Sequence, residues 1–232
     1  MDVVPSDWSD RHKELNRIIR KEDCFAKAAE MVLDLHGDLH TSKVSSRKNS
    51  NRIDELFGDL KRNEYAVMPT SKDETIAWAV WHIARIEDLT MNILVNHGAQ
   101  VFNQSWQNRL NVTVTDTGNA MTDDEIMKFS KNVCVGELLQ YREAVGMQSR
   151  EIIRNLKPAD MRRKVSPEGT LRVLHEGGVT EQADSVWLLD FWGKKDVAGI
   201  LLMPLTRHQT LHLNDCFHWK KMIRERKKFF AV

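Results

Sequence analysis

Thr75-Ile-Ala-Trp-Ala-Val-Trp-His-Ile-Ala-Arg-Ile-Glu-Asp-Leu-Thr-Met-Asn-Ile-Leu94 is the stretch that decides the fold of this chain. Trp78, Ala79, His82, Ile86, Leu89 and Ile93 recur at spacings of three and four, which places them on one face of an α-helix. The spacing predicts a helix over residues 73–96, with Gly98 placed to stop it. His82 lies within the apolar stripe and points toward a core. Arg85, Asp88 and Asn92 are expected on the opposing surface, and Glu87 and Asp88 read as helix-surface charges.

The same periodicity recurs on both sides. Phe25, Ala29, Val32, Leu35, His36 and Leu39 predict an amphipathic helix within residues 10–40. Thr41-Ser-Lys-Val-Ser-Ser-Arg-Lys-Asn-Ser50 reads as a loop, and Ile53, Leu56, Phe57 and Leu60 mark a short helix over 51–62. Val112-Thr-Val-Thr115 alternates too briefly to define a sheet and reads as connection. Thr122-Asp-Asp-Glu125 fits a capping box opening another short helix. Longer helices are predicted over 136–155 and 196–227, with a short one over 187–192 between them. Pro204 must kink the last helix or begin a new first turn, because it lacks the N–H that an interior position requires. No repeat or internal boundary appears, so residues 1–232 read as a single all-α domain, with long helices that suggest a bundle.

Bulk composition narrows the function classes. The 232 residues carry 34 basic and 33 acidic side chains, a net charge of +1 that steers the chain toward neither nucleic acid nor an anionic membrane. The basic end, Lys220-Lys-Met-Ile-Arg-Glu-Arg-Lys-Lys228, is what a helix dipole alone favours at a C-terminus. No apolar run approaches the length of a membrane span. Cys24, Cys134 and Cys216 match no metal or redox spacing, and Met1-Asp-Val-Val-Pro-Ser-Asp-Trp8 lacks the regions of a secretory signal. The expectation is a reduced, cytoplasmic protein.

The histidines carry the chemistry. His208 and His212 lie four apart, so both imidazoles leave one face of a helix, in a stripe with Leu201, Leu205, Asp215 and Trp219. Gln209 after His208 excludes the zinc-protease H-E-x-x-H pattern. With His82, two helices would direct three neutral nitrogens inward, an expensive choice for a core unless an ion uses them. The alternative is a set of hydrogen-bonded core histidines. Asp215 could orient the ring of His212 or act as a fourth ligand, which would close the site. His36 and His40 repeat the i,i+4 spacing, but Gly37, Asp38 and the following loop favour the surface, so they rank as secondary candidates, to line the pocket or to orient a ligand from behind.

Trp81-His82-Ile83-Ala84, joined to a late H-x-x-x-H helix, resembles the DinB-like superfamily of bacterial metal-binding four-helix bundles. The resemblance implies a four-helix bundle, here with additional short helices and loop insertions at residues 98–121 and 158–193. It also implies a divalent metal, zinc or nickel, held by His82, His208 and His212 with open coordination positions. Characterised relatives include transferases and isomerases that use bacillithiol, mycothiol or glutathione. Three neutral ligands leave the ion's charge uncompensated, so a bound thiol or water gives up its proton more easily. The expected function is a metal-dependent thiol S-transferase or hydrolase. The alternative is a non-enzymatic bundle binding metal or a small ligand. Expected partners are a small-molecule substrate or low-molecular-weight thiol, with no nucleic acid and no membrane, and a homodimer is compatible with the fold.

Overall fold

A computed structural model describes residues 4–70 and 74–229, with side chains up to Glu225. Its helices are α1 (Trp8–Ile18), α2 (Phe25–Asp38), α3 (Ser42–Ser45), α4 (Arg52–Gly58), α5 (Ile76–Asp88), α6 (Gln104–Leu110), α7 (Asp123–Asn132), α8 (Val135–Asn155), α9 (Pro167–His175), α10 (Ala183–Gly193), α11 (Val197–Leu202) and α12 (His208–Phe229). Among the described residues the only β pairing is an isolated bridge between Lys164 and Asp196. No described helix is long and apolar enough to cross a membrane.

Four helical rods form the bundle. α5 continues into π-helical turns over Leu89–Val95, and α11 runs through a second π-helical stretch, Met203–Arg207, into α12. α8 packs between α2 and α5, while α12 and its π-helical lead-in pack against α5 and α2. α2 and α5 therefore face each other across the bundle axis. Thr122 and Glu125 form the expected capping box of α7.

Some elements depart from the sequence reading. Residues 10–40 hold two helices, because Lys21 is extended and lets α1 fold back on α2. Leu15, Ile18, Val32 and Leu35 all face the same core, so the apolar period runs unbroken across a turn it cannot reveal. The short helix after Asn51 ends at Gly58, and α6 and α9 arise in the regions read as loops. α5 starts at Ile76, capped by the Thr75 hydroxyl, and the expected start at Asp73 lies outside the described residues. At its far end the left-handed residue is His97 (φ 57°), while the Gly98 N–H closes the turn onto the Asn92 carbonyl at 2.9 Å.

The largest correction concerns the far face of α5. Every residue from Ile76 to Val95 is buried, including Arg85, Asp88 and Asn92. The Arg85 guanidinium and the Tyr141 hydroxyl both donate to Asp88, at 3.1 and 2.6 Å. Asn92 and the backbone N–H groups of Val101 and Phe102 complete the carboxylate's partners at 2.8–2.9 Å. The insertion after Gly98 supplies those N–H groups. It covers a helix face that its polar side chains alone would have marked as solvated.

Glu87 is likewise no surface charge. It lies near the bundle axis with no exposed area and accepts from His36 Nε2 (2.8 Å), His40 Nε2 (3.0 Å) and Gln209 Nε2 (2.6 Å). Arg142 of α8 donates to the Gln209 amide oxygen at 3.0 Å, so all four rods meet in one polar layer. His36 and His40 are fully buried, against the expectation of a surface position. A Cβ at Gly146 would sit 2.6 Å from the His40 ring, so that glycine creates the space on α8. Replacing Glu87 by Gln puts an amide NH2 against donors and removes the only anion of the layer beside Arg142. Removing one partner of a buried charge network costs about 3–5 kcal/mol. We expect Glu87→Gln to lose stability of that order in urea denaturation.

Candidate metal centre

His82 sits in the middle of α5, and its ring is fixed from two directions. Trp78, one turn earlier, stacks on it at 4.6 Å between centroids with 12° between planes. Its Nδ1–H donates to the Thr117 carbonyl at 2.8 Å. That bond belongs to a wider strap. Four consecutive carbonyls, Thr115 to Gly118, accept in turn from Arg85, Trp81, His82 and Trp78 at 2.8–3.1 Å. Gly118 closes the strap at φ 78°, a backbone region where an L side chain is strained, and a Cβ there would sit 2.9 Å from the Trp78 indole nitrogen. With Nδ1 donating, His82 Nε2 presents its lone pair on the opposite side.

His208 is the first residue of α12, immediately after the π-helical stretch that contains Pro204. Proline removes one backbone donor there, and the Thr206 hydroxyl bonds back to the Leu201 and Leu202 carbonyls at 2.9 Å. His208 Nε2 lies 3.2 Å from His82 Nε2. The three rings of His82, His208 and His212 stand 4.7–5.0 Å apart, with one nitrogen of each within 4.8 Å of the others.

The donor set fits a divalent ion. Two nitrogens bound tetrahedrally at about 2.0–2.1 Å stand about 3.3 Å apart, close to the His82–His208 separation. His208 Nδ1 is buried with no protein partner. Burial pushes His82 down to about 4 and, with the neighbouring His82 adding to it, pushes His208 down to about 3, so both are neutral near pH 7. The trio opens on a cavity of about 440 Å³ whose walls include Glu74, Trp78, Asn119 and Asp123.

Asp215 belongs to a second group, with His212 and Glu74, whose ligand-type atoms lie within 4.8 Å of one another. Glu74 Oε2 is 4.0 Å from His212 Nδ1. Sequence reasoning missed Glu74, which precedes the cap of α5 and so belongs to no periodic stripe. It also missed the strap, whose contribution is main-chain carbonyl and has no side-chain signature.

His36 and His40 do not join this trio. They meet Glu87 in the polar layer at ordinary hydrogen-bond distances, with the Arg142 cation close by, where a further divalent charge would be unfavourable. Burial, followed by Arg142, pushes His40 down to about 3. Cys216 is buried and its thiol is pushed up by burial, so it offers no nucleophile. Of the tryptophans, Trp78 lines the cavity, Trp81, Trp192 and Trp219 fill the core, and Trp187 is exposed. At the basic end, Lys220 and Arg224 are engaged by Asp59, and residues 226–232 lie outside the described side chains.

The lowered histidines predict how the metal-free protein responds to acid. An unfolded histidine takes its proton near 6.5, whereas His82 takes it at about 4 and His40 and His208 at about 3. Between those values the unfolded chain binds more protons, so stability falls as pH falls. Thermal melts of metal-free protein should show full stability above about pH 6.5 and a progressive loss from there toward pH 4.

A family model for the DinB superfamily matches residues 47–215, which takes in His82, His208, His212 and Asp215 and leaves out His36 and His40. No curated protein matches the chain. The match covers well over half of the sequence and agrees with an all-helical bundle that gathers three histidines from two of its rods. The chain belongs to the DinB superfamily.

Proposed function

We propose that this is a metal-dependent enzyme, a thiol S-transferase or hydrolase, with His82, His208 and His212 holding zinc or nickel. The observation that carries the reading is the convergence of three imidazoles on the wall of an accessible cavity. Three protein ligands are the number found in catalytic zinc sites, whereas structural sites usually have four. A divalent ion held there would supply Lewis acidity, favouring the deprotonated form of a thiol or water at neutral pH.

The chain's own groups have separate tasks. The Thr117 carbonyl fixes the His82 tautomer and keeps Nε2 available. Glu74 and Asp215 surround His212, where a carboxylate acceptor would set its ring orientation. Asn119 and Asp123 give the cavity polar walls that can hold a substrate by hydrogen bonds. The same two carboxylates favour the second reading, a metal- or ligand-binding bundle without catalysis, because either could add a fourth ligand and close the site.

Elemental analysis and activity separate these readings. His82→Ala and His212→Ala should lower the zinc or nickel content of the purified protein at least tenfold, while His218→Ala should leave it unchanged, since His218 is exposed and outside the trio. Equal metal content in all variants would overturn the assignment. Metal-loaded protein, but neither metal-free protein nor His82→Ala, should accelerate reaction of bacillithiol, glutathione or cysteine with a simple electrophile, or hydrolysis of an activated ester or amide. Failure of every thiol and of hydrolysis, with four protein ligands on the ion, would favour the binding reading.

A further inference from the structure

Beside the metal pocket lies a second cavity of about 530 Å³. Both volumes fall within the roughly 300–1,000 Å³ of small-molecule sites. A single layer of chain divides them. Asp116, Ala120 and Glu125 line the second cavity, Gly118, Asn119 and Asp123 line the first, and Met121 lines both. Methionine is unbranched and adaptable, so this shared wall can shift at little cost.

The second cavity is mixed in character. Val112, Val114 and Phe129 are its apolar surfaces, and Asp116 and Thr180 supply hydrogen-bonding groups. The Thr180 hydroxyl is buried with no protein partner, a state that costs free energy unless a ligand or water uses it. Burial also raises the Asp116 carboxyl above its usual range, as expected for a group shielded from solvent. Val112, Val114 and Asp116 come from the stretch after Gly98, Phe129 from α7 and Thr180 from the α9–α10 connection.

We propose that this cavity is a second organic-ligand site, which takes a molecule with an apolar ring or chain and an amine or hydroxyl end and holds it next to the metal pocket. The proposal rests on the reading of the trio as a metal centre and selects between its two reactions. Hydrolysis needs one organic substrate and water, whereas transfer to a thiol needs two organic substrates side by side. In such a transfer the C–S bond forms as the bond from carbon to its leaving group breaks, and the thiol proton departs with the leaving group. Asp116 and Thr180 would hold the acceptor's polar end, and Met121, which lines both cavities, would turn aside so that the acceptor's carbon reaches the thiol.

The probes are 4-bromobenzylamine and 4-bromobenzyl alcohol, used with the zinc-loaded full chain. In soaked crystals the bromine anomalous signal should lie between Val112, Val114 and Phe129. In solution both probes should bind saturably. Thr180→Val should weaken them about three- to tenfold, the effect of one lost hydrogen bond, and Ala120→Trp should abolish binding by filling the cavity. Zinc content is measured on every sample. Zinc present with bromine absent, or found only in the histidine-lined cavity, overturns this inference and leaves the metal centre standing. Bromine in the crystal without saturable binding in solution means binding at crystal concentration only and overturns it as well. A wild-type chain that binds neither zinc nor nickel overturns the underlying reading. If Ala120→Trp does not fold, the conservative Thr180→Val change decides, and unchanged affinity there counts against the proposal.

Discussion

A carboxylate buried on the axis of a helical bundle constrains everything around it. Glu87 has no access to water, so each rod must deliver polar groups to its level: His36 and His40 from α2, Gln209 from α12, and Arg142 from α8 through Gln209. A slip of one residue in α2 or α12 would take donors away from that buried charge, at a cost comparable with a large part of a domain's net stability. The register fixed in this way is the register of the metal centre. Gln209 follows His208 in sequence, and Glu87 lies five residues, about 7.5 Å of helix rise, beyond His82. The Glu87–Gln209 and His82–His208 contacts both tie α5 to α12.

The two histidine clusters use one residue type for opposite ends. In the axial layer each ring gives a nitrogen to Glu87, and the result is a buried network inside the bundle. In the other cluster the Nε2 atoms of His82 and His208 face each other beside an open cavity, with the nearest carboxylates next to His212. What separates them is the charge supplied at short range and the access to solvent, since both contain an i,i+4 pair and a histidine or acid from α5.

Helical periodicity made the bundle legible. The stripes of α2, α5 and the final helix follow from apolar spacing, and so does the placement of His82, His208 and His212 on two of them. What stayed hidden depended on contacts remote in sequence. Arg85, Glu87, Asp88, His36 and His40 look solvated because polarity is the usual mark of a surface, and only partners 13 to 122 residues away reveal them as interior. The break at Lys21 was masked by two helices sharing one core. The acidic neighbour Glu74 was masked because it belongs to no helix face.

The strap over α5 holds its four side chains through main-chain oxygens, and that has an evolutionary consequence. A carbonyl is the same whichever residue carries it, so no side-chain chemistry at Thr115, Asp116 or Thr117 specifies the acceptors that hold Arg85, Trp81 and His82. Only Gly118 is bound by its own conformation. Side chains on the segment from Asp116 to Met121 also line the two cavities. Mutation could therefore recut the chambers while the histidine geometry beneath stays still, so selectivity can drift or be engineered separately from the centre it surrounds.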